Sequence, residues 1–161
     1  MLKVTNHFLT RTEIACMLSH ISLWEHCVLI DKPIVVLEHD AIMTQKFTNM
    51  ASYNSVVYLG GLEWKSGQLP IFDIPPHASR GPNYHFICRA HAYAIDPQVA
   101  KNMLAHVLKM GICDSADSFL RADIFNITHQ GFYAYDDPMG STMIGREEGV
   151  ENAKFNPRLE H

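Results

Sequence analysis

Apolar positions recur at helical spacing from the first dozen residues onward. Ile14, Met17, Leu18, Ile21, Trp24 and Val28 fall on one stripe, which predicts a helix over 11–29. Thr10 and Glu13 stand in front of it as a T-x-x-E capping box, in which each side chain satisfies a backbone donor of the first turn. The period then changes. Ile34-Val35-Val36-Leu37, after Pro33, is a continuous and largely β-branched run. It reads as a strand buried on both faces, in the middle of a parallel sheet. A second such strand is expected over 55–59, stopped by Gly60-Gly61.

Residues 60–84 hold four of the nine glycines and four of the eight prolines, which predicts one or two long loops with a short hairpin at 68–71. Strand pieces are expected at 85–88 and 92–95. Pro97 opens a helix that runs to Met110, where Gly111 closes it. A further helix is expected over 116–125, then a strand over 132–135, with the remainder polar and irregular. Helices alternating with buried strands predict an α/β sheet domain spanning 1–158, without internal repeats. Leu159-Glu160-His161 reads as the remnant of an expression tag.

Composition narrows the function classes. Hydrophobic residues make up 47% and charged residues 19%, an ordinary globular balance. The formal net charge of −4, with scattered lysines and arginines, argues against a nucleic-acid partner. Residues 1–11 have no apolar core of signal-peptide length, and runs such as 34–37 are too short for a membrane span, so a cytoplasmic location is expected. Cys16, Cys27, Cys88 and Cys113 show no zinc-finger spacing and read as reduced, mostly buried thiols.

The chemistry concentrates where the first strand ends, at Glu38-His39-Asp40. Ligands of open α/β sheets gather outside the carboxyl ends of strands. Two carboxylates one residue apart suit a hard divalent cation, Mn²⁺ or Mg²⁺, with positions left for diphosphate oxygens. The plain alternative is a solvated turn or helix cap.

The order of motifs adds to this. Leu9-Thr10, Glu13, Cys16, Ser19-His20 and Leu23-Trp24 resemble the "LT-x-x-E-x-x-C-x-x-SH-x-x-LW" signature of glycosyltransferase family 25. Val36-Leu37-Glu38-His39-Asp40-Ala41 resembles its "ILEDDA" segment, with His39 in place of the middle Asp. Tyr58-Leu59-Gly60, Ala92-Tyr93-Ala94-Ile95-Asp96, Asp117-Ser118-Phe119-Leu120 and Ser141 to Ile144 are similar to later blocks, in the same order. The resemblance implies a GT-A-like mixed sheet flanked by helices. It implies an inverting, metal-assisted transfer of a sugar, galactose most often, from a UDP-sugar to a glycan acceptor in lipopolysaccharide biosynthesis. Glu38 and Asp40 match the metal or diphosphate ligands, and the imidazole of His39 can also ligate. Asp117 is the candidate base or acceptor ligand, with Asp123 behind it. Family members open with a strand, helix and strand that carry much of the nucleotide pocket, and only ten residues precede the first helix here. The resemblance therefore also leaves open a transferase of reduced competence, or a non-catalytic glycan- or partner-binding domain. A sheet edge freed in this way is expected to be covered by a homodimer or by the first residues.

Several further residues carry a plain reading beside a functional one. Glu13 is explained by the capping box, with substrate binding as the alternative. His20 has no visible acidic partner in sequence, so a structural bond and a site role both stand. Trp64 either stacks on a sugar ring or covers a core edge. His91 and Tyr93 alternate to the same strand face, where wall packing is the plainer role and substrate contact the sharper one. A third reading is a metal-dependent hydrolase, which would need Asp117, His91 or His129 to join Glu38, His39 and Asp40.

Overall fold

A computed structural model describes residues 9–48, 54–60, 72–73 and 90–136. Among the described residues there are three helices and six strands: α1 (Arg11–Ile30), β1 (Ile34–Leu37), β2 (Ala41–Met43), β3 (Val56–Gly60), β4 (Phe72–Asp73), β5 (Ala92–Ile95), α2 (Pro97–Met110), α3 (Ala116–Phe119) and β6 (Ile127–Asp136). The strands form one mixed sheet in the order β1-β5-β3-β6-β2, with β4 on β6. β3 and β6 run parallel; the other described pairings are antiparallel. The chain is thus mixed α/β, as expected. The helix over 11–29 and the strand over 92–95 are found, and the helix from Pro97 ends at Gly111.

Three expectations need correction, and one strand is new. The Ile34–Leu37 strand is not central and parallel but lies at one end of the described sheet, antiparallel to β5, with Leu37 exposed. An unbroken apolar run cannot distinguish those settings, because sequence does not show which neighbours cover each face. The expected 116–125 helix stops at Phe119, and Phe125 N–H instead turns back to the Arg121 carbonyl. The last strand starts five residues earlier than expected, at Ile127. β2 is an addition, with no sequence signal because its three residues are too few to show a period. The expected hairpin at 68–71 and strand at 85–88 lie outside the described residues.

The helical stripe is also shifted. α1 buries Met17, His20, Trp24 and Cys27, while Leu18 is 49% exposed. A spacing of three, four and three keeps those four side chains on one line along the helix. They meet Val36, Tyr58, Tyr93 and Ile95 of the sheet, Val99 and Met103 of α2, and Phe119 of α3. Trp24 stacks on Phe119 at 5.2 Å and is fully buried, so truncating it to Ala would cost about 3–5 kcal/mol. Alternate strand residues Val57, Leu59, Ala92 and Ala94 form a smaller cluster with Phe47 on the opposite face. All three described helices therefore pack on one side of the sheet.

Helix ends are well satisfied. Both halves of the Thr10–Glu13 capping box are formed. The buried Asp96 caps α2 through Val99 N–H at 2.8 Å, and its other oxygen accepts Asn54 N–H at 3.1 Å. That one carboxylate ties the start of β3 to the start of α2. By length and composition α1 would also suffice to cross a membrane, a property that core helices of soluble proteins share.

Candidate functional site

Three elements bring polar side chains to the end of the sheet where β1 and β3 finish and β5 begins. Glu38 follows β1 directly. Its N–H donates to the His91 carbonyl at 2.9 Å, and its own carbonyl accepts Ala41 N–H at 3.1 Å. The second bond closes a turn with His39 and Asp40 at its tip. His39 is exposed there, whereas Asp40 is half-buried, and its Oδ1 is fully enclosed with no hydrogen-bond donor among the described residues.

α1 supplies His20 and Cys16, one turn apart on the edge of its buried face. His20 Nε2 lies 3.1 Å from Glu38 Oε1, and Nδ1 lies 2.7 Å from Tyr93 Oη. Trp24 Nε1–H donates to the same Tyr93 oxygen at 2.9 Å. An indole nitrogen can only donate, so Tyr93 is free to donate onward to Nδ1. That leaves the hydrogen of His20 on Nε2, donated to Glu38. Burial pushes the Tyr93 hydroxyl pKa far up, which keeps its proton in place. Cys16 Sγ also approaches Glu38 Oε1, at 4.0 Å. The ligand atoms of Cys16, His20 and Glu38 all lie within 4.8 Å of one another.

α3 adds Asp117 at its start. Asp117 Oδ1 accepts Ala90 N–H at 2.7 Å. Burial raises its carboxyl pKa and Glu38 adds to the rise, while the Ala90 N–H bond, and then the nearby His20 and His91, work against it. The thiol of Cys16 is pushed up to about 11 by burial first, and then by Glu38, Asp117, Asp40 and Glu13. Those causes place four carboxylates within electrostatic reach of one sulfur.

His91 is 2% exposed, and neither ring nitrogen has a partner among the described residues. Its imidazole lies against Gly60, where an added Cβ would sit 2.5 Å from Cε1 and Nε2. Gly60 is thus required by the close approach of the ring rather than by its backbone angles.

The structure places Glu38, Asp40, His20, Asp117 and His91 at this end of the sheet and adds Cys16. Two expectations change. His20 does have an acidic partner, Glu38, which sits eighteen positions away. Of the three described cysteines, all free, only Cys27 is buried. Asp123 is not drawn in: it forms a two-point ion pair with Arg121 at 2.9 and 2.6 Å on an exposed turn. Tyr93 is core, and Glu13 is held by its cap. Trp64 lies outside the described residues, and His129 lies on β6. A separate hollow of about 420 Å³, lined by residues such as Asn54, Asn102, His106 and Asn126, opens at the opposite end of β3 and contains none of these groups.

The family model of glycosyltransferase family 25 (LPS biosynthesis protein) matches residues 2–68. That stretch carries Glu13, Cys16, His20, Glu38, His39 and Asp40; Asp117 and His91 fall beyond it. No curated protein matches the chain.

Proposed function

We infer that this chain is a sugar transferase of the family 25 type, acting in lipopolysaccharide biosynthesis, whose donor site is the Glu38–Asp40 turn. The observation that carries the reading is Asp40 Oδ1, a buried carboxylate oxygen with no donor among the described residues. An oxygen enclosed in that state is costly unless a cation or hydrogen-bond donor meets it. Glu38 beside it has one oxygen engaged by His20 and leaves the other for the site. These two residues fit a hard divalent ion, Mn²⁺ or Mg²⁺, which would neutralise charge on a departing nucleotide diphosphate. A GT-A-like arrangement, a UDP-sugar donor, a glycan acceptor and a cytoplasmic location belong to the same proposal.

Within it, Asp117 takes the acceptor proton. A general base works best with its pKa near the working pH, and burial moves Asp117 in that direction. The carboxylate would draw the proton from the acceptor hydroxyl as that oxygen attacks the anomeric carbon, with inversion. His20, fixed by Tyr93 and Trp24, holds Glu38 in one orientation. The test is release of UDP from UDP-galactose in the presence of glycan acceptors. Asp117→Asn should lower turnover by about a hundredfold or more while leaving donor affinity within about twofold. Equal losses in affinity and turnover would remove Asp117 from the base role.

A second reading, a glycan-binding domain without transfer, is favoured by the engagement of Glu38 Oε1 by both His20 and Cys16. Glycan affinity without nucleotide-sugar affinity would identify it.

A further inference from the structure

Cys16 has no role in the transferase reading. It faces Glu38 and His20 from α1, remains exposed, and takes no part in the core. A hard cation has no use for a sulfur ligand, because Mn²⁺ and Mg²⁺ select oxygen.

We propose that Cys16 Sγ, His20 Nε2 and Glu38 Oε1 form a second metal site, selective for Zn²⁺, beside the hard-cation turn. The donor set is the first argument: thiolate, imidazole and carboxylate together suit Zn²⁺. Geometry is the second. Tetrahedral bonds of about 2.0 Å to nitrogen and oxygen and about 2.3 Å to sulfur separate N from O by about 3.3 Å and S from O by about 3.5 Å. The present separations are 3.1 and 4.0 Å, so rotamer-scale adjustment is enough. The third argument is the setting: the three ligand atoms come from two elements, α1 and the turn after β1, and all lie within 4.8 Å of one another. Three protein ligands leave a fourth position open to solvent, as in exchangeable rather than structural sites.

Loading the site changes its hydrogen bonds in a defined way. Cys16 gives its proton to solvent. The His20 hydrogen moves from Nε2 to Nδ1, and Tyr93 Oη becomes an acceptor from both His20 and Trp24. The Tyr93 hydrogen then loses its acceptor among the described residues, whereas the metal-free network is fully matched. The fold therefore stands without the ion, and binding is weaker than at a closed zinc site. The site itself does not depend on the transferase reading. One consequence does: Zn²⁺ would hold Glu38 and compete with the hard cation.

The test is titration of the metal-free, untagged protein with Co²⁺, followed by displacement with Zn²⁺. The account predicts a thiolate-to-cobalt charge-transfer band, tetrahedral visible absorption, and loss of both on adding Zn²⁺. Cys16→Ser should abolish the band and weaken Zn²⁺ binding at least ~tenfold, with an unchanged melting profile. Cys113→Ser should leave both as they are. His20→Gln reports on the nitrogen ligand, and because His20 is buried its folding is checked by circular dichroism. An octahedral cobalt spectrum without sulfur character overturns the proposal. So does Zn²⁺ affinity unchanged by Cys16→Ser, or absence of Co²⁺ and Zn²⁺ binding by folded protein. Failure of the donor reading would appear separately, as absence of nucleotide binding while the cobalt band persists.

Discussion

His20 on α1 and Glu38 at the end of β1 are joined at 3.1 Å, and that contact is the last link of a chain that begins in the core. Trp24, Tyr93, His20 and Glu38 pass hydrogen bonds in one direction, from buried indole to site carboxylate. Tyr93→Phe keeps the ring and removes the middle of the chain, leaving Trp24 N–H and His20 Nδ1 buried without partners. The expected loss is about 1–3 kcal/mol, read as a lower denaturant midpoint at unchanged slope. No change in midpoint would mean the chain contributes nothing to stability.

Asp117 is held at a cost. Its carboxyl pKa is raised in the folded protein, so the native state binds its proton more tightly than the unfolded chain does. The charge therefore destabilises the fold as pH climbs above the unfolded value of 3.8 and through the folded one. Asn at this position keeps an oxygen for Ala90 N–H and sheds the charge. Asp117→Asn should raise the melting temperature at neutral pH, and the gain should shrink towards nothing below that unfolded value. A gain independent of pH would point to packing instead.

Cys16 is partly exposed but should react as a poor nucleophile. With its pKa moved from 9.0 to about 11, the thiolate fraction at neutral pH is about a hundredfold smaller than normal. Iodoacetamide labelling followed by mass spectrometry should show Cys16 lagging an ordinary exposed thiol. Glu38→Gln removes the largest of the neighbouring charge effects and should speed the reaction. Fast labelling of Cys16 in the unaltered protein would contradict this account of its surroundings.

Gly60 and His91 should behave as a coupled pair. A methyl at position 60 meets the imidazole and the Tyr58 hydroxyl at 2.5 Å, so Gly60→Ala should cost about 1–3 kcal/mol. Removing the ring with His91→Ala should absorb part of that cost in the double variant. Additive losses would show that the relevant clash is elsewhere.

Much of this architecture is legible in the sequence. The two long helices carry their own boundaries, since Thr10 with Glu13, Pro97 and Gly111 act through bonds local in sequence. The position of the acidic turn follows from the end of the Ile34–Leu37 run. What stays hidden depends on pairing between distant segments. The edge setting of β1 is decided by β5, far along the chain. The contacts of His20 and Cys16 with Glu38 span 18 and 22 positions, and a histidine and a cysteine on a helix face give no sign of what lies opposite. α3 ends early although its sequence continues in helix-compatible residues, because Phe119, Leu120 and Phe125 are drawn separately into the core.

The central claim, that the Glu38–Asp40 turn binds a nucleotide-sugar diphosphate through a divalent ion, is tested most directly by calorimetric titration of UDP and UDP-galactose. The titration is run with and without Mn²⁺, on the unaltered protein and on Asp40→Ala. The account predicts Mn²⁺-dependent binding that Asp40→Ala abolishes. Absence of binding by folded protein, or binding indifferent to both Mn²⁺ and Asp40, would contradict it.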